Sequence, residues 1–364
     1  MAAETTTIRP TTSPVQRSRA ETYLLITLVA LAFSVIGTRV FLELTGYPQL
    51  GNSTLHIAHA IWGGLLLYAA ALLPLVLANR WALYLSAGLN GLGAGLFIDE
   101  VGKFITRDLN YFYPPAAPLV YAFFLLSALL YQYVRRMKRE APRTQLYHAL
   151  EELSEALDGD LDQDEYERIV AWLRSARRSD SENLARLANV LEDYVRDPRT
   201  GVYPVKPTRW NRVIEWFEAT VRRVPPRAHR GAVLLILAAL AVFAASGAGL
   251  LIWTAMQPGP FRESFEAVLA AQGGIEAITD VGWRLLRIGL DAAVGLMALV
   301  AFIYFVLRRE QLGARLGIFA LVFSLTTVNL LNFYIDQFGA IASALLEFVA
   351  LLVILSYRQW RLPE

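Results

Sequence analysis

Two histidines and two carboxylates have spacings that could support chemistry. His56 and His59 are three residues apart, and Asp99 and Glu100 are adjacent further along the chain. Imidazole and carboxylate donors bind zinc, iron or manganese. The same side chains could instead form a proton relay or a solute gate, because histidine titrates near neutral pH. The His-x-x-His pattern lacks the glutamate of a zincin motif, so the spacing leaves both chemistries open.

Further polar residues fall inside apolar segments or at their ends. Ionisable groups are costly there, so each is a candidate site residue. Most are predicted in the outer half of the membrane: Lys103, Arg284, Arg287, Asp291, Asn329, Asn332 and Asp336. Glu347 is instead predicted near the middle. A polar cavity open to the outside explains the clustering, whereas in the alternative interpretation basic side chains reach to the interface and Arg287 pairs structurally with Asp291.

The elements that must position these residues are apolar helices. Of 364 residues, 55% are hydrophobic and 18% are charged, whereas soluble domains have about 25% charged residues. Eight apolar runs approach the roughly 20 residues that a spanning helix needs. They cover about 23–44, 55–77, 81–97, 115–134, 231–254, 283–307, 316–335 and 340–356. We therefore predict an all-α polytopic membrane protein with eight transmembrane helices.

Composition also excludes some functions. The chain has no cysteine, which rules out disulfides, thiolate metal sites and a cysteine nucleophile. A net charge of +2 argues against a nucleic-acid partner. The sequence contains no P-loop, dinucleotide fingerprint or serine–histidine nucleophile pattern.

Basic residues concentrate in alternate loops. They precede the first span, separate spans two and three and spans six and seven, and follow spans four and eight. The intervening loops hold few: Lys103, Arg107 and Arg262. Because loops rich in Lys and Arg stay in the cytoplasm, we predict that both termini are cytoplasmic.

Residues 135–229 interrupt the spans with dense, nearly balanced charge. Helical spacing predicts two apolar faces, one over Leu146, Leu150, Leu153 and Leu157 and one over Tyr166, Ile169, Val170 and Leu173. Asp162 and Glu165 predict a capped helix start, and further helices are expected over 181–196 and 208–224. The predicted organisation is a disordered tail (1–20), a membrane half (21–134), a cytoplasmic helical domain (135–229), a second membrane half (230–357) and a short tail (358–364).

The two membrane halves share a sequence pattern. Ile98-Asp99-Glu100-Val101-Gly102 resembles Ile335-Asp336-Gln337-Phe338-Gly339, so both halves contain Ile-Asp-x-x-Gly at the predicted outer face. His59 and Arg287 each lie 21 residues before the basic residue that follows their span. A duplication of an even number of spans gives parallel repeats.

Small residues predict a close contact between the second and third spans. Ala87, Gly91, Gly95 and Asp99 recur at steps of four, and His56, Ala60, Gly63 and Gly64 form a similar surface. Small side chains let helix backbones approach closely. We expect these two surfaces to pack together and to bring the histidines towards Asp99.

Two stretches carry a family resemblance. Residues 55–64 (LHIAHAIWGG) and 95–106 (GLFIDEVGKFIT), the latter followed by 110–116 (NYFYPPA), resemble an uncharacterised family of bacterial multi-spanning integral membrane proteins. The resemblance covers about 55–118. It implies a bacterial inner membrane location and directs attention to His56, His59, Asp99, Glu100 and Lys103, but it implies no activity.

Three functions follow as hypotheses. The first is a transporter or channel with a polar site near the outer leaflet. The second is a membrane-embedded enzyme in which His56, His59, Asp99 and Glu100 bind a divalent metal such as zinc or iron. The third is a non-catalytic anchor whose 135–229 domain binds a cytoplasmic protein. Lipid is the expected partner in each case.

Overall fold

The computed structural model describes residues 13–46, 59–106, 113–137, 141–159, 161–197, 224–256 and 278–362. In these ranges the regular elements are helices, and eight of them are long and apolar enough to cross a membrane. The all-α polytopic prediction is confirmed. Three predicted features lie outside the described residues: His56, residues 208–223 of the predicted helix over 208–224, and the first twelve residues of the predicted tail.

The helices follow the apolar runs closely. They are α1 (Ala20–Thr45), α2 (His59–Val76), α3 (Arg80–Asp99), α4 (Val101–Ile105), α5 (Ala116–Arg136), α6 (Pro142–Asp158), α7 (Gln163–Ala176), α8 (Glu182–Arg196), α9 (Pro226–Ala255), α10 (Ile278–Val306), α11 (Glu310–Phe323), α12 (Asn329–Ile335) and α13 (Gln337–Arg361). A π-helical turn, Ser324–Val328, joins α11 to α12, so the three form one continuous span. The shortest span, α2, has 18 residues and is about 27 Å long, close to the roughly 30 Å of a bilayer core.

Residues 1–97 and 127–207 form one compact unit, and residues 98–126 and 208–364 form another. The sequence-based domain boundaries near 134 and 229 stay predictions. In the first unit, glycines set the helix contacts. A Cβ on Gly63 of α2 would lie 2.7 Å from the carbonyl oxygen of Gly93 in α3, and one on Gly93 would lie 2.8 Å from that of Gly63. The two backbones therefore touch, as small residues allow.

The α3 surface of Ala87, Gly91 and Gly95 packs against α1, so its predicted packing against α2 is wrong. A Cβ on Gly91 would meet the backbone of Thr27 and Leu31. The Thr27 hydroxyl donates to the Ala87 carbonyl at 3.1 Å. The spacing of the small residues predicted a surface suited to close helix packing. It could not predict which of the apolar spans packs against that surface. The α2 contact uses Gly93, which is two residues from Gly91 and Gly95 and therefore lies on roughly the opposite side of α3.

The helical insert has its own core. Leu161, Ile169 and Leu173 are fully buried where α6, α7 and α8 meet. Asp162 and Glu165 form the predicted capping box at the start of α7, with side-chain to backbone hydrogen bonds of 2.8 and 3.1 Å.

One predicted face of the insert is only half right. Leu146 and Leu153 of α6 pack into the core, but Leu150 is 47% exposed and Leu157 is 81% exposed. Alanines occupy the other core positions, Ala149 and Ala156. The buried face of α6 therefore consists of positions 146, 149, 153 and 156, whereas the leucines predicted positions 146, 150, 153 and 157. The second predicted face, on α7, is confirmed.

The second unit contains an antiparallel helix bundle. Apolar side chains of α9, α10, α11 and α13 form its core, including Leu237, Phe305, Leu321 and Ile354. At one end Arg230, near the start of α9, donates to Glu310 at 2.7 Å and to the Phe305 carbonyl at 2.8 Å. The Tyr357 hydroxyl donates to Glu310 at 2.6 Å. The starts of α9 and α11 therefore meet the ends of α10 and α13, as alternating spans require.

Adding a methyl group to Gly93 should destabilise the first unit. We expect Gly93→Ala to lose about 1–3 kcal/mol, because the new Cβ would collide with the α2 backbone. Gly88→Ala is the matched control on the same helix, since a Cβ there meets nothing within 4 Å. Thermal unfolding of the detergent-purified protein measures both. Equal unfolding temperatures for the two variants would contradict the Gly63–Gly93 contact.

Candidate functional site

The seventh span is interrupted by the π-helical turn Ser324–Val328. Such turns widen a helix locally, leave carbonyl groups without their usual partners and occur frequently at functional sites. The Tyr121 hydroxyl of α5 donates to the Leu325 carbonyl within this turn. Its ring also packs against Phe333, with centroids 4.5 Å apart. A side chain from another helix therefore satisfies backbone that the irregular turn releases.

Glu347 of α13 faces this irregular turn and the helix that follows it. Asn329, the first residue of α12, is fully buried and donates its amide to the Glu347 carboxylate at 2.8 Å. Asn332, one turn later, donates to the Asn329 side-chain oxygen at 3.2 Å. The Ser343 hydroxyl lies 3.5 Å from that same oxygen. We call Glu347, Asn329, Asn332 and Ser343 the carboxylate cluster.

Helix geometry places the carboxylate cluster inside the membrane. Glu347 lies about 15 Å along α13 from its start at Gln337 and roughly 21 Å from its end at Arg361, at about 1.5 Å per residue. The prediction that Glu347 lies near the middle of its span agrees with this position. Among the described residues, no basic side chain forms an ion pair with Glu347. An isolated charge is very costly in such surroundings.

A second carboxylate approaches from α10. Asp291 pairs with Arg287 at 3.6 Å within α10, whereas the structural interpretation of these two residues predicted a pair between helices. Asp291 also lies within electrostatic range of Glu347. Glu347 therefore has a second carboxylate, Asp291, in its surroundings, and Arg287 is paired with Asp291.

Two of the predicted residues pair with each other at the end of the third span. Asp99 is the last residue of α3 and Glu100 precedes α4; both are fully buried. Lys103 forms an ion pair with Glu100. His59 begins α2 and is partly buried.

Asp336 has a structural role at the junction of α12 and α13. Its carboxylate accepts a hydrogen bond from the Gly339 backbone at 3.0 Å and caps α13. Both Ile-Asp-x-x-Gly segments thus lie where one helix ends and the next begins, at Glu100 and at Asp336. Arg284 also lies on α10, about two helical turns before Asp291.

Metal binding by the first half stays a prediction. The described residues contain no group of three or more His, Asp or Glu side chains placed to hold a metal ion. His56, one of the four proposed ligands, lies outside the described residues. The zinc or iron hypothesis therefore depends on a residue that this structure does not describe.

The sequence identifies some members of the carboxylate cluster and not others. Asn332 was a candidate, and the i,i+3 spacing of Asn329 and Asn332 shows that the two share a face. In the sequence, Glu347 is distinguished from the other candidates only by its predicted position near the middle of the membrane. Tyr121 and Ser343 carry no signal in the sequence, because tyrosine and serine are ordinary in spans and their partners come from helices distant in the chain. The π-helical turn has no sequence signature that the hydropathy pattern could reveal.

A charged network in the first unit fixes the insert to the spans. Arg19, just before α1, donates to Glu152 at 3.1 Å and to Glu165 at 2.7 Å. Arg80, at the start of α3, bonds Glu165 and also Glu155 at 2.9 Å. Glu152 and Glu165 are almost fully buried. The start of α1, the start of α3 and the insert therefore lie on one side of the membrane.

Comparison with family models, curated proteins and solved structures finds no match for this chain. Fold class alone does not determine a function.

Removing the Asn329 amide should weaken the second unit. Asn329→Ala deletes the donor to Glu347 and the acceptor for Asn332. Hydrogen bonds between membrane helices contribute about 0.6–1.7 kcal/mol, so we expect a loss of that order in thermal unfolding. Thr326→Ala is the control, because the Thr326 hydroxyl donates to Val322 within its own helix. If both variants unfold like the parent protein, the Asn329–Glu347 bond does not stabilise the fold.

Proposed function

We propose that this protein is a transporter or channel that moves protons or another small cation, with Glu347 as the ion-binding group inside the membrane. The observation that carries the proposal is an acidic side chain near mid-span that is held by neutral donors rather than by a basic partner. Ionisable residues within spans mark ion pathways and proton relays. A carboxylate without a counter-charge is neutralised by whatever cation reaches it, and the proton is the smallest.

The bonding of Glu347 suits reversible binding. Asn329 holds one carboxylate oxygen at 2.8 Å, which orients the group without neutralising it. A lysine or arginine in that position would form a permanent ion pair and compete with a transported cation. The Asn329 amide provides this hydrogen bond instead, and the Asn332 amide and the Ser343 hydroxyl contact the side-chain oxygen of Asn329.

Polar side chains also provide a route towards Glu347 from one end of the unit. Asp336 lies at the end of α12, Asn332 is about one turn inside, and Asn329 is about one turn further. This series ends at the Glu347 carboxylate. The prediction of a polar site towards the outer leaflet agrees with this series, with its deepest member nearer the middle. The π-helical turn lies immediately beyond Asn329, where an irregular helix can change its hydrogen bonding at low cost.

Flux through reconstituted liposomes tests the role of Glu347. We expect the parent protein to dissipate an imposed proton or monovalent-cation gradient, reported by an entrapped dye. Glu347→Gln should reduce the rate at least tenfold, because the amide keeps the shape and the bond to Asn329 but cannot bind a cation. Glu347→Asp should retain partial activity, since it preserves the charge.

Three comparisons make the flux result specific. Thr326→Ala changes the same part of the seventh span and should transport like the parent protein. Asp99→Asn tests the site that the sequence pattern favoured in the first half; loss of flux in that variant alone would assign the pathway to Asp99. No flux above empty liposomes for the parent protein, across protons and monovalent cations, would refute the proposal.

We further propose that the protein resides in a bacterial inner membrane with both termini and the insert in the cytoplasm. The basic loops support this orientation, and the family resemblance supports the compartment. The bonds of Arg19 and Arg80 to the insert give independent support for the relative sidedness, because the N-terminal segment, the loop before α3 and the insert share one side.

Cysteine labelling tests this orientation directly, since the chain has no cysteine of its own. Thr45→Cys, at the exposed end of α1, should react with an impermeant maleimide in intact spheroplasts. Asn183→Cys, on the exposed face of α8, should react only after the membrane is permeabilised. The reverse pattern would place the insert outside and invert the topology.

A further inference from the structure

The last helix of the insert, α8, has apolar side chains on two faces. Ala188 and Val195 are buried in the core that α8 shares with α6 and α7. Leu187, Val190 and Tyr194 lie on another face, where between 41% and 61% of each residue is exposed. Apolar residues that are exposed singly are ordinary, whereas a continuous apolar face marks an interaction surface. We call these three residues the α8 stripe.

The α8 stripe has the spacing of a contact between two helices. Its members are three and four residues apart, which is the alternation that lets the side chains of paired helices interlock. The same alternation reaches Asn183 before the stripe and Asp197 after it, and both residues are polar and exposed. A partner helix can therefore bury the apolar centre and leave the polar ends in water.

Two opposite charges flank the α8 stripe. Arg186 and Asp193 are one heptad apart, so they lie on the same side of the helix about two turns from each other. Neither forms an ion pair or a side-chain hydrogen bond within the described part of the chain. By contrast Glu192, on the inner face, bonds Arg177 at 2.9 Å and Arg196 at 2.6 Å. The insert thus matches its inner charge and leaves this outer pair for a partner.

An antiparallel second copy of α8 is complementary to this charge pattern. When Leu187 of each copy packs against Val190 of the other, Arg186 of each copy lies beside Asp193 of the other. One two-fold axis therefore generates two equivalent ion pairs, as a self-complementary surface requires. In a parallel pair, Arg186 would instead lie beside Leu191 of the second copy, and both charges would stay unmatched.

The orientation of the insert is compatible with such a pair. The helix α6 lies along the ends of the spans, because His148 lies 2.9 Å from the Gln16 carbonyl before α1, and Asp158 accepts a hydrogen bond from Asn79 before α3 at 2.9 Å. The helix α8 packs against both α6 and α7. Two copies in one membrane are related by an axis along the membrane normal, and that axis makes helices lying along the membrane surface antiparallel.

We propose that α8 is a self-association surface through which two copies of this protein pair antiparallel, with Leu187 against Val190 and Arg186 against Asp193. The proposal is independent of ion transport by Glu347. Each α8 has 15 residues and is about 22 Å long, so the contact is smaller than the roughly 1,200 Å² of a stable complex. Confinement to the membrane raises the local concentration of the second copy and compensates for this small area.

Cross-linking of the full protein in liposomes tests the contact, since the chain has no cysteine of its own. Val190→Cys places a thiol in the α8 stripe, and Asn189→Cys is the matched control, because position 189 is exposed on a different face of α8. With a short thiol-specific cross-linker, we expect about fivefold more dimer from Val190→Cys, because the stripe lies nearest the two-fold axis. Equal yields would overturn the proposal. A thiol at position 190 that is shielded from soluble maleimide yet gives no dimer would show that lipid covers the stripe, and would also overturn it.

Charge reversal tests the register of the pair. In the Val190→Cys background, Arg186→Asp and Asp193→Arg each place like charges across the contact and should reduce the dimer yield by about tenfold. Mixing the two single variants, with tags of different size, in one liposome should restore cross-linking between them, because opposite charges then face each other in the mixed pair. A folding defect would not be rescued by mixing. Yields that stay low in the mixture, or that do not fall in the single variants, would contradict the pairing of Arg186 with Asp193.

Discussion

The absence of water from the bilayer core determines most of this structure. Every backbone group there must find a partner within the protein, which leaves helices as the economical solution for eight spans. The same constraint applies to the few polar side chains. Glu347 is held by Asn329, Asn329 by Asn332, and the carbonyl of Leu325 by Tyr121. The irregular turn in the seventh span is tolerated only because these neighbours supply the partners that a regular helix would have supplied itself.

Glycines allow close helix packing in both units. In the first, glycines bring α1, α2 and α3 so close that backbone contacts backbone, and hydroxyl groups bond across the helices, as Thr27 and Ser34 do. In the second, Gly295 packs closely on Ala244 and Gly313 on the Ala301 carbonyl, while larger side chains such as Phe305 and Ile354 fill the rest of the bundle. The deep carboxylate lies in this second unit.

Hydropathy predicted the spans well, since burial in lipid acts on each segment as a whole. The sequence pattern predicted poorly which face of each helix is buried and against which neighbour it packs. The leucines of α6 suggested a face that leaves Leu150 and Leu157 exposed, because small alanines can complete a core as well as leucines can. Gly91 and Gly95 marked a surface for close packing, but the sequence did not say that α1 would occupy it. Depth identified Glu347, and helical spacing placed Asn329 on one face with Asn332 and Asp336. The hydrogen bond from Asn329 to Glu347 depends on the packing of α12 against α13, which only the three-dimensional arrangement reveals.

The helix that carries Glu347 also carries the contacts that close one end of its unit. Tyr357, ten residues further along α13, donates to Glu310, and Glu310 is held in turn by Arg230. His229 lies 3.2 Å from both the Val353 carbonyl and the Ser356 hydroxyl. Under the proposed function, a rigid rotation of α13 that withdraws Glu347 from Asn329 would also move Tyr357 relative to Glu310, about 15 Å away along the helix.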